Sequence, residues 1–188
     1  MTAQINLSRY ASLTEPLTIV VVSDTHMPRM AKALPPALVA ELPNADLILH
    51  AGDWTRTEVY DLLAAYAPVE GVAGNNDGPE IVDRWDYHRI VEIGDRRIGL
   101  THGHLGRGST ADNARAVFEN EQADLIVFGH SHIPFLSVQN NESDTLSRTL
   151  FNPGSPTDKR RQARFSFGIV TLHNDRIDCE HRYYDSKL

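Results

Sequence analysis

The sequence predicts an α/β domain in which strands and helices alternate over the first half and strands dominate the last third. Two observations carry this reading. Apolar, β-branched runs of strand length recur between segments of helical spacing from Leu17 to Ala73. Those runs are continuous rather than alternating, as in strands covered on both faces. The chain of 188 residues, 41% hydrophobic and 23% charged, is also the right size and composition for one core.

Residues 1–16 are polar and patternless and read as a loose lead-in to one domain over 17–188. Leu17-Thr18-Ile19-Val20-Val21-Val22 is the first strand and breaks at Ser23-Asp24. Pro35-Pro36 opens a short helix over Ala37–Leu42, where proline's fixed φ suits the first turn. Asp46–His50 is a second strand, ending at Gly52-Asp53. Thr55 and Glu58 have capping-box spacing, and Val59, Leu62, Leu63 and Tyr66 fall on one helical face. Val69–Ala73 is a third strand, stopping at Gly74-Asn75-Asn76-Asp77. This alternation predicts parallel strands in a layered sheet.

Tyr87–Ile93 and Arg97–Thr101 flank Gly94-Asp95 as a hairpin. A helix follows over about Ser109–Glu121, with Ala114, Val117 and Phe118 facing inward, then a buried strand over Asp124–Phe128. Phe135–Val138, Thr149–Phe151, Arg164–Leu172 and Ile177–Tyr183 read as antiparallel strands, with turns at Asn140–Asp144 and Asn174-Asp175.

Composition excludes several function classes. Eighteen Lys and Arg against 25 Asp and Glu give a net charge of −7, so no broad basic face is expected to bind long nucleic acid. Cys179 is the only cysteine, which rules out an internal disulfide and a thiolate zinc cluster. No apolar run approaches the roughly 18 residues of a membrane span. The first residues lack the basic-then-apolar order of a secretory signal, so a cytoplasmic protein is expected. Strand edges in the last third leave room for a homo-oligomer.

Strand after strand ends in a metal-ligating residue. The first leads into Asp24 and His26, the second into Asp53, the third into Asn75. Leu100 leads into His102 and His104, and Phe128 into His130 and His132. In open α/β sheets ligands bind at the carboxyl ends of strands. The i, i+2 pairs Asp24/His26 and His130/His132 would share a side if the chain is extended there. Asp, Asn and His without Cys suits borderline-to-hard dications such as Mn²⁺, Fe²⁺, Co²⁺ or Zn²⁺. The set exceeds one tetrahedral site, so two ions with a shared ligand are expected. Two neighbouring dications repel and need an anion between them. Asp53, on the tight turn after Gly52, is the candidate bridge.

The phrases Ser23-Asp24-Thr25-His26, Ala51-Gly52-Asp53, Gly74-Asn75-Asn76-Asp77, Thr101-His102-Gly103-His104 and Gly129-His130-Ser131-His132 occur in that order. Together they resemble the calcineurin-like metallophosphoesterases, in particular their short bacterial and archaeal branch. Asn152-Pro153-Gly154-Ser155 resembles that branch's late turn. The resemblance implies an α/β fold arranged as a four-layer α-β-β-α sandwich of two mixed sheets. It implies two divalent ions, Mn²⁺ foremost, with Fe²⁺, Co²⁺, Ni²⁺ or Zn²⁺ as alternatives. Carried over, Asp24, His26, Asp53 and His132 would hold one ion, and Asp53, Asn75, His102 and His130 the other. The implied reaction is hydrolysis of a small phosphoester by a hydroxide bridging the ions.

Larger relatives often carry histidine where this chain has Asn76, and an amide cannot protonate a leaving group. That departure points towards a phosphodiesterase, with a phosphomonoesterase or nucleotide pyrophosphohydrolase as the alternative. Asn76 and His104 are the candidate catalytic residues: Asn76 as a contact to phosphate or a turn residue, and His104 as a proton donor or a residue orienting His102 or the ions. A non-catalytic protein-binding scaffold of the same fold is the competing class, and the filled ligand positions argue against it. His50 and Asp77 read as structural, Asp77 pinning the Asn75 loop. Trp54 reads as core. Lys159-Arg160-Arg161 reads as a solvated charge run rather than a phosphate clamp, and Cys179, His88, His173 and His181 as ordinary strand or surface residues.

Overall fold

The computed structural model describes residues 15–139 and 148–188. The predicted turn at Asn140–Asp144 and most of the lead-in lie outside them. The strands are β1 (Leu17–Val22), β2 (Leu47–His50), β3 (Val69–Gly71), β4 (His88–Ile93), β5 (Arg96–Thr101), β6 (Leu125–Val127), β7 (Phe135–Gln139), β8 (Arg148–Asn152), β9 (Phe165–Leu172) and β10 (Ile177–Tyr184). The helices are α1 (Pro36–Glu41), α2 (Glu58–Ala64), α3 (Pro79–Trp85) and α4 (Thr110–Val117).

Two five-stranded mixed sheets pack face to face, in the orders β10-β9-β1-β2-β3 and β4-β5-β6-β8-β7. In the first, β1, β2 and β3 are parallel and β9 and β10 antiparallel to their neighbours. In the second, β5, β6 and β8 are parallel and the edge strands β4 and β7 antiparallel. The β1 run has no alternation because both faces are covered. Ile19 and Val21 face the other sheet, meeting Ile98, Leu100 and Phe151 in a shared core. Val20 and Val22 join Leu38, Val59, Leu63, Ile81 and Trp85 beneath α1, α2 and α3. On the far side, Ile90, Ile126 and Leu150 pack with Ala114 and Phe118 around α4. The result is the four-layer α-β-β-α sandwich. Each of the larger of these side chains adds about 1.5–3 kcal/mol by leaving water, so the sheet edge where the candidate ligands lie is anchored from both sides.

Several local expectations are corrected. The Thr55–Glu58 capping box does not form. Thr55 has a φ of +70° and its hydroxyl donates to the Met27 carbonyl instead, while α2 begins after Thr57 with no side-chain cap. Val59 and Leu63 are buried, but Leu62 and Tyr66 are 43% and 41% exposed, because the short α2 rests on the sheet by a narrow stripe. β8 lies parallel to β6 and antiparallel only to β7. The helix α3 was not anticipated, although Pro79 stands in its first turn and Ile81 and Trp85 are one turn apart on its buried face.

Candidate metal centre

The parallel strands of both sheets run the same way, so their carboxyl ends meet at one edge. There the chain turns sharply. Asp24, His26, Asp53, His130 and His132 all take left-handed backbone angles, with φ of 55°, 43°, 59°, 67° and 60°. The i, i+2 pairs therefore converge through tight left-handed turns and not through extended chain. Such angles cost on the order of 1–3 kcal/mol each and persist only where surroundings over-determine them.

Those surroundings are a dense polar scaffold. The turn after β1 is tied to the turn after β2 by Asp24 N to Gly52 O (2.9 Å) and His26 N to Asp53 O (3.0 Å). From the late turn, the Ser155 hydroxyl donates to Asp24 O (2.8 Å) and the Thr157 hydroxyl to Thr25 O (2.5 Å). The Asp77 carboxylate accepts from the backbone N–H groups of Asp53, Thr55 and Gly74 at 2.9, 2.7 and 2.7 Å. Burial holds that carboxyl above the usual range even so. Gly129 is required by close approach: a Cβ there would lie 1.9 Å from Ser23 Oγ and 2.8 Å from Asp24 Oδ2.

The donor atoms gather in two overlapping groups, Asp24 with His26 and His132, and Asp24 with Asp53 and His102. Every member is buried, and within each group the ligating atoms lie inside 4.8 Å of one another. Asp24 Oδ1 is 3.2 Å from His132 Nε2, 3.8 Å from His102 Nε2 and 3.9 Å from His26 Nε2. Asp53 Oδ2 is 3.3 Å from His102 Nε2 and 3.6 Å from His26 Nε2. His130 is outside these two groups, half-buried, with its ring 5.2 Å from that of His102. Asn75 lies exposed on the turn beyond β3.

Hydrogen bonding aims these groups inward. His102 Nδ1 donates to Ala51 O at 2.7 Å and His132 Nδ1 to Asp158 O at 2.5 Å, so each ring turns Nε2 towards the cluster. Ser23 Oγ and His130 N donate to Asp24 Oδ2 at 2.7 and 3.0 Å. Asp24 Oδ1 and His102 Nε2 are buried with no hydrogen-bond partner. An unsatisfied buried polar atom costs about 1–3 kcal/mol, and cations bound in this cluster would satisfy both. The donor set therefore fits a divalent metal.

Electrostatics agree in direction. Burial raises the Asp24 carboxyl, but the imidazoles of His102 and His132 outweigh it and hold it below the usual range. Asp53 is likewise lowered: burial is opposed by the charge of the neighbouring His102 imidazole and by the Asn76 donors. Burial disfavours a charged His102, yet Asp24 and Asp53 lift it to about 9 in the metal-free protein.

The two residues assigned to catalysis are also placed. Asn76 grips Asp53, its backbone N–H donating to Oδ1 (2.8 Å) and its side-chain amide to Oδ2 (2.7 Å). His104 is half-buried, its ring 5.3 Å from His102 and 6.2 Å from His130, with Nδ1 buried and unpartnered. Burial, then the neighbouring His102 and His130, lower its pKa. His50 is structural: Gly52 N donates to its Nδ1 (3.2 Å), which leaves Nε2 to donate to Thr25 Oγ1 (3.0 Å). Its ring stacks on Trp54 at 3.6 Å, and burial pushes its pKa down to about 3.

Sequence reasoning missed Ser23 and Asp158, which orient Asp24 and His132. Ser23 had a readable signal in its place beside Asp24. Asp158 acts through its carbonyl, which any residue supplies.

The family model for the calcineurin-like phosphoesterase superfamily domain matches residues 17–175. The chain belongs to that superfamily. A probable metallophosphoesterase of Methanothermobacter thermautotrophicus is 33% identical over 164 residues, 87% of this chain and 91% of its own length. Another, from Methanocaldococcus jannaschii, is 37% identical over 143 residues, 75% of this chain and 69% of its own. Among solved structures, Vps29 of Chaetomium thermophilum superposes with a TM-score of 0.69 at 20% identity, over 90% of this chain and 98% of its own. That last likeness bears on the fold alone. No described helix is long and apolar enough to cross a membrane.

Proposed function

We propose that this protein is a dinuclear, metal-dependent phosphodiesterase acting on a small phosphoester. The observation that carries the reading is the pair of buried, unsatisfied donors, Asp24 Oδ1 and His102 Nε2, inside a cluster of acids and imidazoles. Asp24, His26, Asp53 and His132 would hold one ion, and Asp53, Asn75, His102 and His130 the other, with Mn²⁺ the favoured metal. Asp53 Oδ2 lies 3.6 Å from His26 Nε2 and 3.3 Å from His102 Nε2, residues assigned to different ions, which supports its place as the bridge. When bound, such ions lower the pKa of water and neutralise charge on phosphoryl oxygens.

The chain's own residues supply the rest. Asn76 would hold the Asp53 carboxylate in register through its backbone N–H and its side-chain amide, a positioning role. His104, whose buried Nδ1 has no hydrogen-bond partner, would hold a proton for the departing oxygen. The filled ligand set weighs against a scaffold that has given up catalysis.

The test is turnover of a chromogenic phosphodiester and the matching monoester by pure protein with Mn²⁺. Diester hydrolysis is expected to lead, and Asp53→Asn to abolish it while lowering metal content. Preferred monoester hydrolysis would move the reading to a phosphomonoesterase. Absence of both activities together with absence of bound metal would leave the scaffold.

A further inference from the structure

Although the chain is acidic overall, its cations are not used evenly. Away from the ligand loops most are engaged. Arg89 pairs with Glu70, Arg96 with Asp124, Arg97 with Glu92, Arg115 with Asp112 and Arg176 with Asp178. Lys159, which the sequence grouped with Arg160, is spent on the Gln162 and Ala163 carbonyls. Among the described residues, the side chains of Arg29, Lys32, Arg56, Arg107, Arg160 and Arg161 have no hydrogen bond, ion pair or ring contact, and all are exposed. Arg29 and Lys32 follow ligand His26, Arg56 follows Asp53, and Arg107 follows His104. Arg160 follows Asp158, whose carbonyl receives His132 Nδ1. The unpaired positive charge thus rims the same edge as the donor cluster.

Two of these cations share a cavity. A groove of about 460 Å³ has Met27, Val59 and Leu62 as apolar walls and Lys32 and Arg56 as charged ones. Glu58 also lines it, yet no ion pair joins it to either cation. The groove adjoins the loops that carry His26 and Asp53, which are tied together where His26 N bonds to Asp53 O and, one step outward, Met27 N bonds to Trp54 O at 3.2 Å. From Asp53 to Arg56 the chain reaches at most about 11 Å, the span of a nucleotide-sized ester. Leu62, exposed on α2, forms part of the groove's apolar wall.

We propose that this groove is a substrate subsite, in which Lys32 and Arg56 bind a second phosphate carried by the part of the substrate that is not cleaved. The substrate class is then a bis-phosphorylated small ester with a compact apolar or ring portion lying on Met27, Val59 and Leu62. Two cations that form no ion pair, beside the proposed metal centre, are poised for charge-assisted contacts, which are roughly twice as strong as neutral ones. The proposal rests on the phosphoesterase reading, and its test separates the two.

The first arm uses metal-free protein and calorimetry, with thymidine monophosphate and the thymidine bisphosphate that adds a phosphate on the other sugar hydroxyl. The bisphosphate is expected to bind about tenfold tighter or better. The double variant Lys32→Gln/Arg56→Gln is expected to erase that difference, and Arg176→Gln, at the opposite end of β9, to leave it intact. The second arm compares kcat/KM, with Mn²⁺, for the para-nitrophenyl esters of the same two nucleotides. A preference for the doubly phosphorylated ester that falls about tenfold in the double variant supports the subsite. Equal binding of the two nucleotides by the wild type, or a preference that survives the double variant, overturns it. No turnover of any ester with selective binding intact would instead remove the phosphoesterase reading and keep the anion site.

Discussion

Replacing Asp77 by alanine should destabilise the whole ligand edge, and the size of the effect follows from its hydrogen bonds. Its carboxylate accepts from the N–H groups of Asp53, Thr55 and Gly74 at 2.9, 2.7 and 2.7 Å. Asp53 and Gly74 are buried and Thr55 half-buried, so water reaches these donors poorly once the acceptor is gone. An orphaned buried donor costs about 1–3 kcal/mol. Relaxation of the turns recovers part of this, which leaves roughly 3–6 kcal/mol. That is a large share of the roughly 5–15 kcal/mol that holds a typical domain together. The assay is urea unfolding of metal-free Asp77→Ala and wild type, with amide exchange at Asp53 and Gly74 as the local readout. Manganese affinity should fall in parallel, because the freed turn also carries Asp53. A loss below about 1 kcal/mol with protected amides would refute the idea that Asp77 is the clamp joining the two turns.

Gly129→Ala should be nearly as damaging, since its Cβ would lie 1.9 Å from Ser23 Oγ; a Mn²⁺ titration should show at least a tenfold weaker site, and an unchanged one would mean the turn yields freely. His104→Ala should slow esters of poor leaving groups far more than those of good ones if His104 supplies a proton, whereas an even loss of about 10–100-fold would mark a positioning role. Acid stability should report His50, whose folded pKa of about 3 lies below its ordinary 6.5. The unfolded chain then binds the extra proton, so stability should fall as pH drops from about 6.5 towards 3, by up to ~1.4 kcal/mol per unit. His50→Gln should flatten that limb in urea midpoints. His102 acts with the opposite sign, because its folded pKa of about 9 is raised. Its contribution is complete below 6.5 and lost as pH rises through 9 in metal-free protein.

The strands were legible because continuous apolar runs such as Leu17–Val22 serve two cores at once, and each run ended where a ligand began. The candidate ligands were legible because Asp, Asn and His are the ligating types that recur at those breaks. The turn geometry was not. Asp24 adopts its left-handed angle under contacts from Gly52, Ser155 and Gly129, and His130 under its backbone bond to the Asp24 carboxylate, partners remote in sequence. Thr55 looked like a helix cap because local spacing cannot reveal the Met27 carbonyl waiting for its hydroxyl. The short α3 was hidden by its position beside the Asn75 turn. Leu62 satisfied helical periodicity but faces a groove, which only the packing of α2 against Met27 discloses.

The most direct measurement is anomalous diffraction at the manganese edge from a crystal soaked in Mn²⁺. Two peaks roughly 3.5–4 Å apart, on either side of Asp53 and ringed by Asp24, His26, His102, His130 and His132, are the expected result. A single peak, or none within reach of Asp24 Oδ1 and His102 Nε2, would contradict a dinuclear centre at this edge.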